Sequence, residues 1–265
     1  MINNINTSRL YIEETHTHTH TLLHPTLHPT PRFSIMLNIA YLLPIVAFWH
    51  TITTEIKKHK QDHSVANNMV SAIHCVGYVI QYNFNYNMNY AIHVSIGYYI
   101  YDLVYLLRFI YTASATTNHS IKKSTRLSKI FAIHHIIVLY LLYDMLIVEN
   151  VGHLLYIFNL AEISNLMLYV SCHLHKEYPT HKTVISIAEF IQLVLYFYVR
   201  LIRCSIIIYQ EQSFFKEYSG VGNCCCVILY VMSVLWAGQL VKKNIANIAN
   251  IASTTHTKTA TTTND

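Results

Sequence analysis

Residues 127–148 read LSKIFAIHHIIVLYLLYDMLIV. Between Lys129 and Asp144 no Asp, Glu, Lys or Arg interrupts the run. A helix of about 20 such residues crosses the hydrocarbon core of a bilayer. A backbone placed there must satisfy its own N–H and C=O groups, which a helix does and a single strand does not. This segment is therefore read as a transmembrane helix, with His134 and His135 side by side near its middle.

Six further apolar runs flank it, at 33–54, 67–84, 91–112, 150–172, 183–209 and 221–241. They account for the composition. Apolar residues make up 53% of the 265, whereas Asp, Glu, Lys and Arg together reach 12%, about half the roughly 25% usual in soluble domains. Gly 6 and Pro 5 leave few turn-formers, which excludes collagen and argues against a β-sandwich. The expected fold class is all-α: a multi-pass transmembrane bundle of about seven helices around a polar cavity, occupying 33–243. Residues 1–32, with Thr-His alternation and a doubled Leu-His-Pro-Thr, read as a disordered tail, and 244–265 as another. No apolar stretch near the start suggests a cleavable signal peptide.

Charge placement gives an orientation. Lys57, Lys58 and Lys60 follow the first run, Lys122, Lys123 and Arg126 the third, Lys176 and Lys182 the fifth, and Lys242, Lys243 and Lys258 the last. With seven alternating helices all of these fall on one side, and the positive-inside rule makes that side cytoplasmic. The C-terminus is then expected in the cytoplasm. The net charge of +5 has no basic stripe on a soluble face, so nucleic acid is not an expected partner. No metal is expected: the six cysteines lack CxxC spacing, and the His-rich tract has no carboxylate or Cys partner. Cys224–Cys226 read as small apolar side chains, with palmitoylation the lesser alternative.

The informative residues are polar ones inside apolar runs, because a mid-bilayer charge costs about 2.5–3.5 kcal/mol on insertion scales. They recur at helical spacing. Asn67, Ser71, His74, Tyr78 and Gln81 share one face, as do Tyr98, Asp102 and Tyr105. Asn159, Glu162, Asn165 and Tyr169 form a third stripe, and Glu189, Gln192, Tyr196, Arg200 and Arg203 a fourth. Counted from the basic end at 1.5 Å per residue, His74, Asp102, His134, His135, Glu162 and Glu189 lie about 9–16 Å deep. Such a layer suits a ligand cavity or acid–base chemistry; the bland alternative is a set of interhelical hydrogen bonds. Arg203 reads as snorkelling to the headgroups, and His173, His175 and His181 as solvated loop histidines.

In order and spacing, Ser71–Cys75 (SAIHC), Gly97–Leu103 (GYYIYDL), Ile133–Ile137 (IHHII) and Ala161–Asn165 (AEISN) resemble the TLC-domain membrane proteins. Phe197–Arg203 and the Trp236 segment fit too, so the resemblance spans roughly 33–243. It implies a leading helix plus a six-helix bundle in the endoplasmic reticulum or another endomembrane. It also implies work on membrane lipid binding, homeostasis or trafficking.

The family's ceramide synthases use a His pair followed downstream by His-Asp and a further Asp. Here His134 and His135 are followed by Ala161, Glu162 and Asn165 at those positions, and Val138 stands where a Thr usually does. The match is thus closer to the small lipid-regulatory members. The alternative is a ceramide-synthase-like N-acyltransferase with acyl-CoA as substrate rather than cofactor; a trafficking adaptor without chemistry is a third reading. Under the acyltransfer reading His134, His135, Glu162 and Asp102 are the catalytic candidates. His74, Tyr98, Asn165, Glu189 and Arg200 are the ligand-binding ones. The expected partners are a membrane lipid or fatty acyl species and the bilayer, with a second copy of the chain also open. A proton-coupled transporter ranks lower, since no repeat relates two halves.

Overall fold

A computed structural model describes residues 39–60, 63–84, 87–114, 119–147, 152–210 and 220–261. The tract 1–32 lies outside them. Seven helical rods follow one another, and no strand occurs among the described residues. They are α1 (Ile39–His59), α2 (His63–Asn83), α3 (Met88–Ser114), α4 (His119–Ile147) and α5 (Gly152–Glu177). The sixth rod joins α6 (Lys182–Tyr196), a π-helical stretch (Phe197–Arg203) and α7 (Cys204–Gln210), and α8 (Gly220–Thr261) completes the set.

Four rods are long and apolar enough to cross a membrane: Thr125–Ile147, Gly152–Glu177, Lys182–Gln210 and Gly220–Asn247. All seven expected helices are present among the described residues, and these four meet the criterion of length and apolarity. The helices α1 to α3 have the length but not the uniform apolarity, because they supply much of the polar inner surface. Asn67, Ser71 and His74 come from α2, and His93, Ser95 and Asp102 from α3.

Several helices also outrun their apolar segments, since polar turns continue the hydrogen-bonded backbone beyond the hydrocarbon. The largest case is α8, which runs through Thr261, past Asn244 where a tail was expected. Lys243 and Asn247, one turn apart, both reach Glu189 on α6, and this tethers the extension.

Packing follows from small and aromatic side chains. Against α3 lie α1 and α4; α2 lies along α5, which in turn packs on α6, while α4 and α6 both touch α8. Leu42 and Trp49 of α1 meet Ile92 and Ile96 of α3, and Val138, Leu142 and Met145 of α4 extend the same apolar core. The indole Nε1 of Trp49 donates to the carbonyl oxygen of Val94 at 3.3 Å. Outward, Ile133, Ile136, Val194, Phe197 and Leu235 are exposed, as a lipid-facing surface requires.

The approach of α1 to α3 depends on Gly97, where a Cβ would overlap Ile45 Cγ2 and stand 3.0 Å from Ile45 Cβ. Gly77 of α2 faces open space. Gly97→Ala should therefore destabilise the protein by about 1–3 kcal/mol through overpacking. Gly77→Ala should be neutral or stabilise by up to about 1 kcal/mol through helix propensity. Thermal unfolding of both variants in the same detergent checks the opposite signs.

Candidate functional site

The polar faces of α2, α3, α4 and α5 meet in one layer. Its centre is Asp102 (5% exposed) on α3, whose Oδ2 lies 2.9 Å from His135 Nε2 on α4. The other ring nitrogen, Nδ1, lies 2.7 Å from the carbonyl oxygen of Phe131, one turn earlier. A carbonyl only accepts, so Nδ1 carries a proton. The 2.9 Å contact then requires a second proton, held by Nε2 or by the carboxyl. Asn67 Nδ2 of α2 donates to Asp102 Oδ1 at 3.1 Å, so three helices converge on one carboxylate.

A second carboxylate completes the layer. Glu162 of α5, 2% exposed, accepts from the Tyr99 hydroxyl at 2.9 Å. The Cys75 thiol of α2 donates to the Glu162 backbone oxygen at 2.8 Å. His74 stacks on the Tyr98 ring, 4.0 Å between centroids and 10° between planes, and its Nε2 pairs with Ser95 Oγ at 3.0 Å. Tyr98 in turn donates to Ser71 Oγ at 2.7 Å. Trp49 caps the group, its ring 5.8 Å from His74 and 5.4 Å from Tyr98.

Of the six residues expected in one layer, His74, Asp102, His135 and Glu162 are brought together, and the ligand-binding candidate Tyr98 joins them through its stack on His74. Neighbouring positions on one helix point differently, and so His134 turns from the carboxylates toward Trp236 of α8, with ring centroids 6.1 Å apart. Its Nδ1 is buried without a hydrogen-bond partner.

Glu189 is a correction. It stands outside the layer, in a cluster tying α5, α6 and α8. His175 Nε2 and Lys243 Nζ each lie 2.5 Å from its Oε1, and Asn247 Nδ2 donates to Oε2. His175 is exposed as expected but lies in the last turn of α5 rather than in a loop, paired with Glu189. Depth along a helix had suggested a shared layer, but depth does not fix the direction a side chain takes around the bundle.

Asn165 and Arg200 form a third group. Arg200 Nε donates to Ser164 Oγ at 2.8 Å, and Nη2 donates to Asn165 Oδ1 at 2.9 Å and to the Ala161 carbonyl at 3.1 Å. Arg203 Nη2 donates to the Tyr156 hydroxyl at 3.0 Å, one turn into α5, and both side chains are partly exposed. Tyr99, Ser95, Ser164 and Trp49 were not singled out from the sequence. Tyr99 had a readable signal, since it lies three positions before Asp102 on a helical face.

Among the described residues no cluster of three or more His, Cys, Asp or Glu side chains could hold a metal ion. All six cysteines are free thiols.

A protein-family model described as the TLC domain matches residues 33–242. The chain belongs to the TLC-domain family. As a TLC-domain protein it is a membrane protein of a lipid-related family, and the match covers the whole bundle that carries the polar layer. No curated protein and no solved structure matches the chain.

The layer gives a graded expectation for loss of single hydroxyls. Tyr99→Phe takes the donor from a buried carboxyl group and should cost about 1.5–3 kcal/mol, the range for hydrogen bonds to charged groups. Tyr98→Phe removes a bond between two neutral hydroxyls and should cost about 0.5–1.5 kcal/mol. Unfolding free energies in mixed micelles test the order; equal losses would mean that Glu162 is uncharged.

Proposed function

We propose that this TLC-domain protein binds a membrane lipid or fatty acyl species between its helices, and that it acts thereby in lipid homeostasis or trafficking. The observation that carries the reading is the Asp102–His135 pair, 2.9 Å apart and buried among helices. Interhelical glue alone needs only neutral hydrogen bonds, which average about 0.6 kcal/mol in membranes. Buried ionisable groups cost more and by default mark a binding or proton-handling site.

Unfilled hydrogen-bonding capacity supports the same reading. Tyr78 OH, Asn159 Oδ1 and His134 Nδ1 are buried with no protein partner, and a ligand headgroup would complete them. A cytoplasmic C-terminus fits the placement of lysines, and residence in the endoplasmic reticulum or a related endomembrane follows from the family resemblance. Lys60 pairs with Glu177 at 2.7 Å, joining the basic ends of α1 and α5 on one side of the bundle.

A second reading, N-acyl transfer from acyl-CoA to a long-chain amine, rests on the same pair. His135 Nδ1 is committed to the Phe131 carbonyl and Nε2 faces Asp102, so a proton could be taken up or released only by the pair acting together. The downstream Ala161 and Asn165 supply no further acid or base, so lipid binding without transfer is the preferred account.

Mass spectrometry of lipid co-purified with the full-length protein distinguishes the readings. Wild type should retain a defined lipid class that Asp102→Asn and His135→Ala lose by about tenfold or more, a loss of at least one charge-assisted hydrogen bond. The same preparations given acyl-CoA and a sphingoid base should form no amide. Product that disappears in His135→Ala would establish the transferase, and a preparation with neither lipid nor product would refute both.

A further inference from the structure

Arg200 sits about 15 Å from the Gln210 end of its rod, at 1.5 Å per residue, and so near mid-bilayer by length. All three of its partners are neutral: a serine hydroxyl, an asparagine carbonyl and a backbone carbonyl. Arg203, three positions on, has a tyrosine hydroxyl. Among the described residues neither guanidinium meets a carboxylate. Asp102 is engaged with His135, Glu162 with Tyr99 and Glu189 with Lys243, while Asp144 of α4, buried with its Oδ2 unpartnered, makes no ion pair with either guanidinium. Two uncompensated cations in one turn of a membrane rod are costly unless an anion joins them.

The local backbone is unusual as well. Phe197–Arg203 is a π-helical stretch, a form that is rare and concentrated at functional sites. It widens the turn and presents Arg200 and Arg203 toward α5. Arg200 donates through Nε and Nη2, which leaves the Nη1 edge without an acceptor among the described residues. Arg200 also lies over the Tyr196 ring, 5.2 Å from its centroid, and the Tyr196 hydroxyl is buried with no partner. His134, within electrostatic reach of Arg200, has an orphaned Nδ1 too. Outward from this group the same rod exposes Val194, Phe197, Tyr198 and Ile202, an apolar surface continuous with the bilayer.

We propose that Arg200, with Arg203 and the Tyr196 hydroxyl, forms an oxyanion subsite for the carboxylate or phosphate headgroup of a membrane amphiphile whose chain runs along the exposed face of the π-helical rod. The inference rests on the lipid-binding reading and adds the charge and position of the headgroup. A bidentate guanidinium suits either oxyanion. The neutral acceptors hold the fork in place without neutralising it. The half-buried setting of Arg200 leaves lateral access from the lipid side.

The test uses the full-length protein in nanodiscs of neutral lipid, titrated with palmitate, phosphatidic acid, hexadecanol and inorganic phosphate, with binding read by native mass spectrometry. Palmitate or phosphatidic acid should bind about tenfold more tightly than hexadecanol, the worth of one charge-assisted hydrogen bond. Arg200→Gln should erase that preference and leave hexadecanol unchanged, while Arg200→Lys should keep part of it. Tyr196→Phe and Arg203→Gln should each weaken oxyanion binding by about threefold or more, and they serve if Arg200→Gln fails to fold.

Equal binding of palmitate, phosphatidic acid and hexadecanol by wild type would overturn the subsite. So would retention of the preference in Arg200→Gln. Inorganic phosphate bound as tightly as phosphatidic acid would overturn the amphiphile and leave a free-anion site. Neutral lipid retained in an Asp102-dependent manner, without oxyanion preference, would sink this inference and spare the binding reading. Oxyanion binding that depends on Arg200 but survives Asp102→Asn unchanged would uphold the subsite and overturn only the assignment of Asp102 and His135 to lipid binding.

Discussion

A charged carboxylate between membrane helices is costly without polar partners, and much of this bundle is organised around supplying them at Asp102. Its two oxygens take His135 from α4 and Asn67 from α2, so one side chain of α3 fixes the relative rotation of three helices. The pair is asymmetric in what it allows. With His135 Nδ1 committed to the Phe131 carbonyl, the imidazole keeps one tautomer and its reactive nitrogen is aimed at the carboxylate. Apolar packing could hold α3 against α4, but it is non-directional and would not set this orientation.

The same constraint is met in three chemically different ways along the bundle. Asp102 has a histidine and an amide. Glu189 has a lysine, a histidine and an amide, and these draw α8 and the end of α5 onto α6. Arg200 has neutral oxygens only. The first arrangement places a shared proton inside the bundle, and the second closes a corner of it. The third leaves positive charge in reserve. A protein that merely needed to stay assembled would have no use for the differences among them, whereas one that receives an amphiphile needs both a polar interior and a place for a charged head.

How far the sequence revealed this depends on the kind of information each residue carries. The all-helical bundle was legible from apolar run length, because hydrocarbon thickness leaves one inexpensive solution for the backbone. The meeting of His74, Asp102, His135 and Glu162 was legible from helical spacing together with depth. Glu189 was misplaced by the same reasoning, since depth is an axial coordinate and the partner Lys243 lies 54 positions away on a helix expected to end there. The π-helical stretch left no mark in the periodicity of FYVRLIR. The pairing of Arg200 with Ser164 and of Arg203 with Tyr156 was therefore invisible, as it depends on an extra residue in the turn. Gly97 was quoted as part of a motif, yet its reason, the nearness of Ile45, belongs to tertiary packing alone.

The account stands most directly on the claim that Asp102 and His135 interact as a pair within the folded bundle. A double-mutant cycle of Asp102→Asn and His135→Gln, followed by reversible unfolding in bicelles, measures that interaction. The predicted result is non-additive loss, with a coupling of about 0.5–3 kcal/mol, as for residues in direct contact. Additive losses, within about 0.3 kcal/mol, would mean that the two side chains do not share a proton or a site, and would contradict the account.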